Sequence, residues 1–210
     1  MKFSGNTMKF SGNTMKQVII MRGVPGSGKT TLTLYLEAEY GMPAVICSAD
    51  HFFYFDKPHN PINYKFNPKL LGAAHDKCRE NFKEALASGE ALVIVDNTNI
   101  KLREFQWYIK FATDSGYNVA VHSIVGCSAK ECHKVNVHGV PIEAIQRMID
   151  NFVETPKKVN NVMIDEFTHD FHELRNKKYE PDKKNTKESK SILTIKRAMG
   201  ASEKTAGSPN

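Results

Sequence analysis

The sequence predicts an α/β domain built on a mostly parallel sheet of four or five strands, with helices on both faces. Three observations carry this prediction. From Gln17 onward, short apolar runs alternate with longer amphipathic stretches, the pattern of successive βαβ units. The apolar runs lack strict alternation, as strands covered on both faces do. The first three amphipathic stretches each end at a glycine, Gly41, Gly89 and Gly116, which suits a helix C-cap.

In chain order, residues 18–21, 44–47, 91–95 and 119–125 read as buried strands, and residues 29–40, 68–88 and 101–115 as the helices between and after them. Residues 128–137 and 141–153 read as two shorter helices around His138-Gly139-Val140, with Pro141 suited to a first helical turn. Val162, Met163, Ile164 and Phe167 then form either a last strand or a turn that closes the domain.

The chain has 210 residues, 40% hydrophobic and 25% charged, which excludes collagen-like, mucin-like and wholly disordered classes. No apolar run approaches the roughly 18 to 20 residues of a membrane span, so a soluble protein with no membrane partner is expected. Residues 1–7 recur as residues 8–14, a duplicated leader without the apolar stretch of a secretion signal. The expected division is therefore a leader at 1–15, a domain at 16–173 and a tail at 174–210.

The net charge is +6, and its location matters. From Arg175 onward there are ten Lys or Arg against four Asp or Glu, while the first 174 residues hold nineteen of each sign. The basicity belongs to the tail, either a solvated end or an arm that attracts nucleic acid. Cys47, Cys78, Cys127 and Cys132 form no CxxC pair, which points to reduced thiols and a cytoplasmic setting, the nucleus remaining open. A metal site on Cys127, Cys132 and His133 lacks a second ligand pair. The oligomeric state is not legible.

One motif carries specific chemistry. Gly23, Val24, Pro25, Gly26, Ser27, Gly28, Lys29 and Thr30 satisfy GxxxxGK[ST] between a predicted strand and a predicted helix, which is the context the motif requires. Such a loop curls so that its N–H groups, with that of Thr31 following, surround phosphate oxygens at a helix N-terminus. The expected ligands are ATP and Mg²⁺. Lys29 is expected to bridge the outer phosphates and Thr30 to ligate Mg²⁺ through its hydroxyl. This is the P-loop NTPase and kinase fold.

Transfer to a hydroxyl also needs a base apart from the metal site. Asp50 and Asp96 lie just past two predicted strands, at the sheet edge where ligands bind in open α/β folds. Asp96 suits metal support and Asp50 a proton acceptor; a helix N-cap is the plain structural alternative for each. Phe52, Phe53, Tyr54 and Phe55 follow as either a stacking platform or a packed loop. His75 and Arg79 either line an acceptor groove or form an ordinary surface pair. Trp107, Tyr108 and Phe111 read as core.

The ordered set GVPGSGKT, Ser48-Ala49-Asp50-His51-Phe52-Phe53, Val95-Asp96-Asn97-Thr98-Asn99 and His138-Gly139-Val140 resembles the polynucleotide-kinase-like P-loop kinases. Within them it is most similar to the kinase module of the NEDD-four-binding-protein-two-like proteins. The likeness spans about residues 17–153. It implies a kinase that moves the γ-phosphate of ATP to a hydroxyl, foremost the 5'-hydroxyl of a nucleic acid, with Asp50 as general base. Three departures accompany it. Asn97 stands where the family type has an acid, Phe53 where it has an acceptor-binding arginine, and His133-Lys134-Val135-Asn136-Val137 where it has lid arginines. Lys134, or Arg147 on the next helix, is the expected substitute cation.

Overall fold

The computed structural model describes residues 16–55, 63–152, 158–159 and 162–168. The expected leader and basic tail lie outside these residues. The elements run β1 (Gln17–Arg22), α1 (Lys29–Tyr40), β2 (Val45–Cys47), α2 (Leu71–Ala87), β3 (Leu92–Asp96), α3 (Leu102–Asp114), β4 (Asn118–Val125), α4 (Ala129–Val135), α5 (Ile142–Asp150), β5 (Lys158–Val159) and β6 (Val162–Thr168). Single 3₁₀ turns at Ala49–Phe53 and Pro68–Leu70 precede α2.

The sheet order is β2-β3-β1-β4-β6-β5. Its first five strands run parallel, and β5 pairs antiparallel to β6 at the edge. The predicted four or five parallel strands are thus present, and a two-residue sixth strand adds to them. The closing segment, left open between strand and turn, is strand β6, with Val121 registered against Ile164 of β6.

Burial explains why the central runs lack alternation. Val18 to Met21 and Leu92 to Val95 are fully or almost fully buried, so both faces of these strands need apolar side chains. The chain steps leftward from β1 to β2 and rightward from β2 to β3, and right-handed crossovers then put α1 and α2 on opposite faces. On one face Val18, Ile20, Val93 and Val95 meet Ala74, Cys78 and Phe82 of α2 and Phe105, Tyr108 and Ile109 of α3. α1 buries Leu32 and Leu36. Tyr108 is core as expected, with Trp107 and Phe111 packed at its margin, their rings stacked 5.2 Å apart.

A smaller cluster lies at the carboxyl end of the sheet. Val24, Ile100, Cys127, Ala129, Cys132 and Ile145 pack together, with Val140, Ile142 and Phe152 against them. It docks α4 and α5 beside the loop that follows β1. Cys47 and Cys78 are buried free thiols, whereas the Cys127 and Cys132 sulfurs come into disulfide contact, Cα atoms 6.3 Å apart. The reading of all four cysteines as reduced is corrected at that pair. No cluster of three or more His, Cys, Asp or Glu suited to a metal occurs among the described residues. None of their helices is long and apolar enough to cross a membrane.

Candidate functional site

β1 is the switch point of the sheet, because the connections lead leftward to β2 and β3 and later rightward to β4. Ligands of open α/β sheets bind outside the strand ends at such a point. The loop Gly23–Gly28 leaves β1 there. Gly26 and Gly28 take φ of 80° and 102°, which residues with a Cβ rarely adopt. At Gly26 a Cβ would also overlap the backbone carbonyl of Cys132 in α4.

The loop ends in α1, whose cap residue Gly28 supplies no side-chain hydrogen bond and whose first turn holds no acid. It shares this with α2, whereas α3, α4 and α5 carry Glu104, Glu131 and Glu143 in their first turns. The amides at the start of α1 therefore keep both their donors and their partial positive charge for an outside anion. Lys29 folds back over the loop, its Nζ donating to the carbonyls of Gly23 and Val24, each at 3.1 Å. Burial lowers its pKa from the ordinary value, and Asp96 and then Asp50 push it back up. Both carboxylates thus act on the lysine of the loop.

Asp96 ends β3, registered against Met21 of β1, two residues before Gly23. It caps no helix: α3 begins after Lys101, whose backbone N–H bonds Glu104. Asp50 sits in the 3₁₀ turn after β2, and it too is not the cap. Ser48 fills that place, accepting from the Asp50 amide at 3.3 Å. The N-cap alternative is removed for both aspartates. The Asp50 side chain is 48% exposed. Thr30, the second residue of α1, is exposed to solvent, and Thr31 follows half-buried.

This donor set fits the expected ligands. The uncompensated helix start, the glycine curl and Lys29 match a polyphosphate. Thr30 and Asp96 offer hard oxygen donors of the kind Mg²⁺ takes, one or two from protein and the rest from phosphate and water.

Three supporting residues emerge from the coordinates. Arg22, the last residue of β1, is fully buried. Its guanidinium donates to the carbonyls of Asn99 and Ile100 and to Ser123 Oγ, and it lies between the rings of Phe105 and Phe152, 4.8 and 4.5 Å from their centroids. Asn99, at φ 47°, donates to the Met21 carbonyl at 2.8 Å. Asn97 accepts from the Ala49 amide at 2.8 Å, which ties the turn bearing Asp50 to the end of β3. A charge closing an apolar run, and amides crowded after Asp96, were the signals for these roles.

The aromatic run divides. Phe53 is buried, packed edge-on against Phe66 at 5.1 Å, while Phe52 and Phe55 are exposed. With Tyr54, Lys65, Phe66, Asn67, Pro68 and Leu70 they line an open groove of about 430 Å³ beside the Asp50 turn. Arg79 is a surface residue, paired with Asp76 at 3.2 Å and lying over Trp107. His75 is half-buried on the same helix. Lys134 and Arg147 are both exposed, on α4 and α5, and the phosphate loop is met there by the backbone of Cys132.

Comparison with known proteins places this geometry. Human NEDD4-binding protein 2 is 33% identical over 138 residues, 64% of this chain and 8% of that protein. Human YLP motif-containing protein 1 is 27% identical over 158 residues, 67% of this chain and 7% of that protein. The chain therefore spans less than a tenth of the length of these relatives. Among solved structures, a chain of the Pnkp1/Rnl/Hen1 RNA repair complex superposes with a TM-score of 0.50 at 18% identity, covering 69% of this chain and 46% of that one. A chain of the PezAT toxin–antitoxin system of Streptococcus pneumoniae gives 0.50 at 16%, covering 76% and 72%. These likenesses show a shared fold. The family described as "AAA domain" matches residues 18–154, from β1 to just past α5, and the chain belongs to that family, on the P-loop kinase fold its motif series predicts.

Proposed function

We propose that this domain is an ATP-dependent kinase that transfers a γ-phosphoryl group to a hydroxyl, foremost a polynucleotide 5'-hydroxyl. The observation that carries the reading is that Asp50 and Asp96 reach the sheet edge where the phosphate loop leaves β1. Asp96 ends β3 beside β1, Asp50 sits in the turn after the neighbouring β2, tied to the β3 end through Ala49 and Asn97, and the Asp50 side chain stays half open to solvent. In this division of labour, Lys29 and the backbone N–H groups of the loop from Gly23 to Thr31, other than at Pro25, grip the phosphates, and Thr30 and Asp96 would hold Mg²⁺. When bound, Mg²⁺ neutralises charge on the phosphate oxygens.

Asp50 takes the proton of the acceptor hydroxyl. The acceptor oxygen forms its bond to the γ-phosphorus, the bond from that phosphorus to the bridging oxygen breaks, and ADP leaves with the electron pair. Lys134 or Arg147 closes over the transferring group. A lysine there is a point charge without the two-pronged fork of arginine, so transfer is slower than with lid arginines.

The acceptor class is supported by the groove beside Asp50. Phe52, Phe55 and Phe66 are exposed, Lys65 adds a cation 5.1 Å from the Phe55 centroid, and no acid lines the groove among the described residues. Exposed rings beside positive charge suit the bases and phosphates of a single strand. Labelled ATP offered with 5'-hydroxyl oligonucleotides and with small hydroxylated compounds tests the reading. Oligonucleotide labelling that disappears in Asp50→Ala is the expected result. Labelling of small compounds alone moves the acceptor class, and tight ATP binding with no acceptor labelled makes the domain a nucleotide-binding scaffold. The exposed Val135, in the segment where the family type holds cations, favours that last outcome as the second reading.

A further inference from the structure

Asp50 does not stand alone. The Tyr64 hydroxyl donates to its Oδ1 at 3.0 Å, and His138 Nε2 lies 3.8 Å from its Oδ2. The two partners also hold each other, their rings 4.5 Å apart and tilted by 48°. Tyr64 comes from the segment before α2, His138 from the turn between α4 and α5. The two groups thus converge on one carboxylate from two different segments of the chain.

Tyr64 has little freedom to do anything else. Its backbone forms an antiparallel bridge with Tyr54, flanked by hydrogen bonds from Phe55 N to the Asn63 carbonyl at 3.1 Å and from Lys65 N to the Phe53 carbonyl at 3.0 Å. Its ring packs against Tyr54 at 5.0 Å and Phe53 at 6.1 Å. Burial first, and then Asp50, drive its phenol well above the ordinary tyrosine value, so it keeps its proton and remains a donor.

We infer that Tyr64 is a positioning residue for the Asp50 base, fixing one carboxylate oxygen and leaving the other free for the acceptor hydroxyl, with His138 bracing the tyrosine from the lid side. The inference rests on the kinase reading above. Its physical basis is directional. A carboxylate held at one oxygen has a set plane and a set lone-pair direction at the other, whereas a half-exposed carboxylate without that hold rotates about its last bond. His138 at 3.8 Å is too far for a hydrogen bond to the free oxygen and leaves it open. The other charged groups facing Asp50 are Lys29 of α1 and, when protonated, His138; Tyr54 flanks Tyr64.

The test is Tyr64→Phe, which keeps the ring on His138 and Phe53 and deletes only the donor. Expected are a roughly tenfold fall in kcat and an unchanged KM for ATP. In Asp50→Ala the further change Tyr64→Phe is expected to cost nothing, because the residue acts through Asp50. A Tyr64→Phe variant with wild-type kcat, or one that costs as much in the Asp50→Ala background as in the wild type, overturns the positioning role, while Asp50→Ala still reports on the base. Transfer surviving in Asp50→Ala overturns the kinase assignment of Asp50 itself, and with it the role given to Tyr64.

Discussion

Arg22 is the side chain whose burial shapes the site most directly. A guanidinium removed from water is tolerated when its donors are met, and here two carbonyls, a hydroxyl and two ring faces meet them. Burial lowers its pKa to about 10, which still leaves it charged at neutral pH. By gripping Asn99, Ile100 and Ser123 it locks the start of the phosphate loop to the turn after β3 and to β4. Arg22→Met removes the charge but strands those acceptors, and it is expected to destabilise the domain by about 3 kcal/mol. Urea denaturation of the variant measures this. At this scale Lys29, Thr30, Asp50 and Asp96 were legible in the sequence as candidates, because each sits at a fixed offset from a strand or motif. Tyr64 was hidden. Fourteen residues separate it from Asp50, and only the bridge between Tyr54 and Tyr64 brings them together.

Among elements, the contact of α4 with the phosphate loop and the pairing of β4 with β6 have separate consequences. Gly26 combines a left-handed backbone with a Cβ direction blocked by the Cys132 carbonyl, so Gly26→Ala must shift either the loop or α4. The expected cost is about 1 to 3 kcal/mol of stability with weakened ATP binding, read by urea midpoint and nucleotide titration. On β4, His122 is buried with Nδ1 3.6 Å from Asp165 of β6. Burial lowers its pKa below the ordinary 6.5, and Asp165 only partly offsets this. The folded chain then binds fewer protons than the unfolded one just below pH 6.5. Its stability is full above that pH and falls as the pH drops through it. Thermal unfolding across that range should show the decline, and His122→Gln should flatten it. The parallel strands were legible as apolar runs covered on both faces, and the long helices as amphipathic stretches that stop at or just before Gly41, Gly89 and Gly116. β5 was not, since two residues carry no period, and β6 stayed ambiguous because its half-buried pattern resembles a turn.

At the scale of the whole molecule, nucleotide binding and catalysis separate cleanly. A ligand that binds only the folded state stabilises it by about 2.7 kcal/mol at a hundredfold excess over its Kd. ATP with Mg²⁺ is therefore expected to raise the Tm of the wild type and of Asp50→Asn alike, and to leave Lys29→Ala nearly unmoved. The first 174 residues are charge-balanced, so any attraction for an acceptor strand within them comes from a local cluster of cations and not from net charge. The central claim is that one loop of amides presents a phosphoryl group to a hydroxyl activated by Asp50. Single-turnover transfer of labelled γ-phosphate to a 5'-hydroxyl oligonucleotide, wild type against Asp50→Asn at matched ATP saturation, tests it most directly. The account predicts a rate at least about a hundredfold lower in Asp50→Asn with ATP affinity intact. Equal transfer rates in the two proteins would contradict it.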